Sequence, residues 1–237
     1  MISIDFWNTI VDSESRGKIR RKVRIDAVRE IAANYDNSIT LEEFDKAKRI
    51  ASDKFHNIWL NQQRTPTSHD LARYVLDYLD ISATEKEHEY LATAFEESLW
   101  EGPPELSEGV EDIIPQLARQ HSLAIISDTM YSPGRILRMY LKEKGLSSYF
   151  QSFIFSDETG FSKPDPRAYH QALDATEGTI KQSWHIGDRV DTDITGAKEV
   201  GMRTVLFTNF IQYDDGQYDP QPDYVCKNWK EVGNLLC

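Results

Sequence analysis

Cysteine is scarce in this chain of 237 residues: Cys226 and Cys237 are its two. With no Cys-x-x-Cys or Cys/His spacing around them, they exclude a disulfide framework and a thiolate zinc site. They fit reduced thiols in a cytoplasmic protein. Long apolar runs are missing as well, since no stretch reaches the ~18 consecutive apolar residues of a membrane-spanning helix. The start, Met1-Ile2-Ser3-Ile4-Asp5, lacks the basic segment and apolar core of a secretion signal. Positive charge is in deficit, with 27 Lys and Arg against 39 Asp and Glu and a formal net charge of −12. Such a surface repels phosphate backbones and anionic lipid, so neither nucleic acid nor membrane is an expected partner. What the chain does have is 40% hydrophobic residues, enough for a sizeable core.

Met1 to Phe6 is a short apolar run ending at the polar cluster Asn8-Thr9, the pattern of a buried strand that stops at a functional edge. From 14 to 100 the texture is helical. Ile25, Val28 and Ile31 fall at helical spacing, as do Leu71, Val75, Tyr78 and Leu79, and Thr40/Glu43 and Ser82/Glu85 have the form of capping boxes. About four helices are expected there. Gly102-Pro103-Pro104 marks the exit, after which strands and helices alternate. Strands are predicted over 123–127, 153–155, 184–186, 204–207 and 224–226, helices over 134–144, 167–175, 195–200 and 229–236, and a polar loop over 209–223. This alternation predicts an α/β fold, a doubly wound parallel-sheet (Rossmann-like) core made of 1–13 and 101–237, with an inserted α-helical cap domain over 14–100.

In an open parallel sheet, ligands bind at the carboxyl ends of the strands near the point where strand order reverses. Asp5, Ser127 and Asp188 stand at or just past such ends, and Lys163 follows a fourth after a short loop. An Asp in that place is more often a turn residue and a Lys more often solvated; the joint placement is what carries weight. Together they supply what phosphoryl transfer needs. A carboxylate such as Asp5 can attack phosphorus to form an aspartyl-phosphate. Asp5, Asp188 and Asp193 would gather negative charge that calls for a cation, and hard carboxylate oxygens select Mg²⁺. Lys163 and the Ser127 hydroxyl can hold phosphate oxygens.

These residues fall into four ordered motifs: Asp5-Phe6-Trp7-Asn8-Thr9-Ile10; Leu123-Ala124-Ile125-Ile126-Ser127; Gly160-Phe161-Ser162-Lys163-Pro164-Asp165-Pro166; and Gly187-Asp188-Arg189-Val190-Asp191-Thr192-Asp193. In order and spacing they resemble the haloacid dehalogenase (HAD) superfamily over nearly the whole chain, in the subfamily with a helical cap between the first and second motifs. The resemblance implies that Asp5 is the nucleophile and that Ser127 and Lys163 bind the transferring group. It also implies that Asp188, Asp5 and the Trp7 backbone carbonyl bind Mg²⁺, with Asp193 supporting that site. Asn8, Thr9 and Asp128 are further candidate substrate contacts, and the expected substrate is a small phosphorylated or otherwise anionic molecule.

Trp7 departs from the family pattern. Phosphatases of the superfamily carry an Asp there, which protonates the leaving group, and an indole cannot exchange protons near neutral pH; about 10²- to 10⁴-fold of rate goes with such a group. Three readings stay open: a Mg²⁺-dependent phosphatase with another proton source or good leaving groups; a metal-free dehalogenase-like enzyme, against which Asp188 speaks; and a member that binds a ligand or protein without turnover. Asp128 is a second departure, with three options: it turns away, pairs with Arg189, or carries the proton. His185, inside a strand, is expected to be a packed core residue. Arg16, Lys18, Arg20, Arg21, Lys22 and Arg24 form a basic cluster, either a solvated surface or a source of one or two anion-recognising side chains.

Overall fold

The computed structural model describes residues 1–213 and 218–237, so 214–217 of the polar loop lie outside the described residues. Along the chain, β1 (Ile2–Ile4) and β2 (Val11–Asp12) precede the helices α1 (Gly17–Ala33), α2 (Leu41–Gln62), α3 (Ser68–Tyr78) and α4 (Glu85–Glu101). Then follow β3 (Glu105–Leu106), α5 (Val110–Ala118), β4 (Leu123–Ser127), α6 (Gly134–Glu143) and β5 (Ser152–Phe155). The single turn α7 (Ser156–Thr159), α8 (Pro166–Ala175), β6 (Trp184–Gly187), α9 (Thr195–Glu199), β7 (Arg203–Phe207), β8 (Tyr224–Cys226) and α10 (Trp229–Leu236) complete it. The elements divide into two compact units. One comprises Met1–Ser13, Glu105–Asp128 and Arg138–Cys237, the other Glu14–Pro104 and Thr129–Leu137. Residues 129–137 thus group with the helical unit.

The first unit is built on a six-stranded sheet of order β5-β4-β1-β6-β7-β8, parallel throughout. β1 and β4 are buried along their whole length, which is why they read as continuous apolar runs rather than alternating ones. Pleating sends Ala124, Ile126 and Ile154 to one face, where they meet Ala168, Tyr169, Ala172 and Leu173 of α8 and Ala197 of α9. α5 and α10 pack on each other, and Trp229 of α10 donates its indole N–H to the Thr9 carbonyl at 3.0 Å. The sheet with its flanking helices is the α/β, Rossmann-like core that the alternation predicts.

The helical unit packs α1 on α4, α2 on α3 and α3 on α4 around Val28, Phe44, Leu71, Val75, Leu91 and Phe95. Its helix starts are set by three capping boxes, Thr40/Glu43, Thr67/Asp70 and Thr84/Glu87. The last corrects the expected Ser82/Glu85 box. α3 closes with Asp80 in the left-handed region (φ 54°) and Ile81 donating to the Leu76 carbonyl at 3.0 Å, so Ile81 and the residues beside it are still finishing one helix. Thr84 is then the hydroxyl free to start the next. Further elements escape the sequence reading: α5, which carries Pro115 inside it, the single turn α7 and the two-residue ladder β2–β3.

Candidate functional site

Strand order reverses at β1, with β4 on one side and β6 on the other, so the carboxyl ends of these three strands share one edge. Ile4 is in register with Ile125 and Ile186, and the Asp5 amide donates to the Ile186 carbonyl at 2.8 Å. One step along, Asp5 therefore leaves β1 beside the ends of β4 and β6. Asn8, with φ 53°, takes the left-handed turn that follows; Asn tolerates this backbone better than most residues. Its side chain ties the turn down at both ends, accepting from the Ser13 amide at 3.3 Å and donating to Asp188 Oδ2 at 3.3 Å.

Asp5, Asp188 and Asp193 converge, each offering an oxygen within 4.8 Å of the others. Lys163 is inserted among them. Its Nζ donates to Asp5 Oδ1 at 2.5 Å and Asp193 Oδ1 at 2.7 Å, and its amide donates to Asp128 Oδ1 at 3.0 Å. Asp193 is the best satisfied of the three: Oδ1 also accepts from His185 Nε2 at 2.9 Å and Oδ2 from the Arg189 amide at 3.0 Å. Gly187 makes this possible, since a Cβ there would overlap the Asp193 carboxylate.

The electrostatics follow from burial. Burial pushes the Asp5 carboxyl well above the usual carboxylate range, with Lys163 pulling the other way. Asp188 is pushed up to about 7, by burial first and the Asp193 charge second. Burial also works against ionised Asp193, but the Lys163 ammonium and the His185 hydrogen bond outweigh it and hold Asp193 below its ordinary value. Lys163 is disfavoured as a cation by burial, yet Asp193, Asp5 and Asp128 raise it well above the usual lysine value. Burial lowers His185 despite Asp193. The ring is then neutral near pH 7, donates from Nε2 and accepts at Nδ1 from Ser3 Oγ, 2.9 Å away. This is the packed core histidine expected of β6.

Three carboxylates against one ammonium leave two negative charges uncompensated when all are ionised. That is the charge of one divalent cation, and an all-oxygen donor set suits a hard one such as Mg²⁺. Asp5 and Asp188 are the carboxylates with capacity to spare. Asp193, saturated by Lys163, His185 and Arg189, holds the others in place.

The remaining candidates are placed as follows. Ser127 is buried at the end of β4 with Oγ donating to the Asp128 carbonyl at 3.3 Å. Thr9 is fully buried, and its hydroxyl has no partner among the described residues, which puts it in the core rather than at an open surface. Trp7 is half-buried, its ring edge-on to Phe6 with centroids 5.1 Å apart. Arg189 forms a side-chain pair with Asp191. Two residues were not singled out from sequence. Tyr169 donates to the Thr192 carbonyl at 2.9 Å, and Tyr213 to the Asp188 carbonyl at 2.7 Å. Both brace the segment that carries Asp188 and Asp193, and no motif marks either. Of the basic cluster, Arg20 is buried and donates to the Ser15 and Gly102 carbonyls, Arg21 pairs with Asp45, and Lys22 pairs with Asp26.

The fold is a parallel α/β core with buried carboxylates and a lysine gathered where strand order reverses. The chain belongs to the haloacid dehalogenase-like hydrolase family, whose sequence model matches residues 4–207. A glyceraldehyde 3-phosphate phosphatase from Pyrococcus furiosus is 37% identical over 104 residues, 43% of this chain and 41% of that protein. The match thus spans less than half of the curated relative's length. Among solved structures, a 2-haloacid dehalogenase from Pseudomonas syringae pv. Tomato superposes with a TM-score of 0.74 at 20% identity, over 99% of this chain and 96% of that one. A magnesium-bound HAD hydrolase from Bacillus subtilis superposes at 0.69 and 19% identity, over 99% and 97%. These two show the fold. Among the described residues, no helix is long and apolar enough to cross a membrane.

Proposed function

We propose that this protein is a Mg²⁺-dependent hydrolase of small phosphate monoesters that works through an aspartyl-phosphate at Asp5. The observation that carries this reading is the cluster Asp5–Lys163–Asp193–Asp188, whose three carboxylates outnumber its one ammonium. The phosphatase relative supports it. Asp5, Asp188 and the Trp7 carbonyl would hold the ion, which when bound would offset the charge of the phosphoryl group. Lys163 holds Asp5 by Nζ and supplies the positive charge that transferring oxygens need. Asp5 attacks phosphorus as the ester P–O bond breaks, and the alkoxide leaves and takes a proton from solvent; water then attacks phosphorus and gives a proton back to solvent, releasing phosphate and restoring the carboxylate. Ser127 and its neighbouring backbone amides orient the phosphoryl oxygens.

Trp7 gives the leaving alcohol no proton, so esters of acidic alcohols are the favoured substrates. The dehalogenase-like reading is weakened by Asp188, and binding without turnover draws only on Trp7 and the proton donor missing there. The test is phosphate release from a panel of phosphate monoesters, with Mg²⁺ and with EDTA. Release that needs Mg²⁺ is expected. Halide release from a 2-haloacid in EDTA, or no turnover of any ester despite Mg²⁺ binding, would overturn the proposal.

A further inference from the structure

Among the basic residues over 16–24, Arg24 is placed unlike its neighbours on α1. Arg21 and Lys22 are offset by carboxylates, whereas no carboxylate among the described residues pairs with Arg24. Its guanidinium lies over the Tyr131 ring, with Cζ 3.7 Å from the centroid, and its Nε donates to Ser98 Oγ at 3.0 Å. Both supports are themselves fixed. Ser98 is fully buried and donates to the Phe95 carbonyl at 2.7 Å, so it faces Arg24 as an acceptor. Tyr131 stands edge-on to Phe95 with centroids 5.5 Å apart, and its phenol is hydrogen-bonded to Ser52. All of these residues belong to the helical unit.

The charged and ionisable neighbours that bear on Arg24 are Tyr131 and a second cation, Arg20; burial lowers the guanidinium to about 10, and Arg20 adds to that. None of the carboxylates among the described residues is paired with this desolvated arginine. One face is taken by the ring and one N–H by Ser98. The two Nη groups have no acceptor among the described residues. A planar fork held rigid on one face and at Nε, with its two Nη donors unengaged, is the geometry that binds two oxygens of one anion at once.

We propose that Arg24 is an oxyanion-recognition residue of the helical unit, its Nη edge taking two oxygens of one anion in bidentate fashion. The anion is a free inorganic one such as sulfate, and the inference stands without the proposed hydrolase activity.

The experiment compares this chain with Arg24→Gln: thermal unfolding of both is followed in sodium sulfate against sodium chloride at equal ionic strength. Sulfate is excluded from protein surfaces in general and stabilises both forms alike. The wild type is expected to gain an additional sulfate-dependent shift that Arg24→Gln lacks. Loss of that shift in the variant supports the proposal, and this holds even where no ester is turned over and the hydrolase reading has failed. An equal shift in both proteins, or none in the wild type, overturns the proposal and leaves Arg24 a packing residue. Should Arg24→Gln fail to fold, Arg24→Lys keeps the charge, loses the fork and is expected to lose the same shift.

Discussion

In the α/β unit Asp5, Lys163, Asp188 and Asp193 are each exposed by 5% or less, whereas the helical unit places pairs such as Lys22–Asp26 and Lys46–Glu42 on side chains exposed by 48% or more. Charge in the first unit is desolvated, shared and unequal in sign. Charge in the second is mostly solvated and locally cancelled, and its capping boxes satisfy helix ends rather than a ligand. Surface pairs of this kind are worth ~0–1 kcal/mol, and removing one partner of a buried pair costs ~3–5 kcal/mol. The two units therefore answer differently to the loss of a charge, and substitutions separate a desolvated cluster from charge that is solvated and locally paired.

The largest effect is expected at Asp5. Asp5→Asn removes the nucleophile while keeping the shape of the side chain, and steady-state phosphate release is expected to fall by at least about 10³-fold. A variant within tenfold of wild type would break the comparison, because the buried cluster would then be structural. Next comes Trp7→Asp, which restores a proton carrier beside an otherwise complete site. With esters of weakly acidic alcohols, kcat is expected to rise by about 10²-fold, the lower end of what general acid catalysis supplies; a fall would show that the indole has a role of its own.

Much of this arrangement is legible in the sequence, and for a physical reason. β4 and α10 run over 123–127 and 229–236 as expected, because burial imposes a period on the apolar residues of a helix and a strand buried on both faces leaves an unbroken run. Asp5, Ser127 and Asp188 are legible by position alone, since each stands at a strand's carboxyl end. What cannot be read is pairing across long separations. Nothing in a Lys-Pro-Asp-Pro string says that the Lys163 amide meets Asp128, or that Asp193 is shared by Lys163, His185 and the Arg189 amide. Helix starts fail for a different reason: Ser82 and Thr84 both precede a glutamate by three residues, and the choice is made by where α3 finishes. Arg24 shows the limit most plainly, because spacing makes it one of six basic residues, and what distinguishes it is a tyrosine more than a hundred positions away.

Asp188 gives an effect of intermediate size and unusual sign. Its carboxyl is raised from an ordinary value of 3.8 to about 7 in the folded chain. A carboxyl raised on folding contributes stability below the unfolded value and loses it as pH rises through the folded one. Metal-free wild type is therefore expected to lose stability relative to Asp188→Asn between about pH 4 and about pH 7, by on the order of 1 kcal/mol or more. Chemical unfolding of both proteins across that range measures it, and parallel profiles would contradict the desolvated state assigned to Asp188. The same variant is expected to abolish Mg²⁺-dependent turnover, so stability and activity move in opposite directions.

The smallest effects belong to the helical unit. Thr84→Ala removes a capping box and is expected to cost about 1 kcal/mol, whereas Ser82→Ala is expected to stay within about 0.5 kcal/mol. Denaturant titration distinguishes them, and the reverse order would return the helix start to Ser82. Neither change should alter phosphate release.

The account rests on Asp5 carrying the phosphoryl group, and that is open to direct measurement. Turnover with a phosphate monoester and Mg²⁺ is stopped in acid, and the digested protein is searched by mass spectrometry for a phosphorylated peptide. A phosphoryl adduct on the peptide containing Asp5, absent in Asp5→Asn and absent when EDTA replaces Mg²⁺, is the result predicted. Turnover that proceeds with no adduct, or with the adduct on another residue, would contradict it.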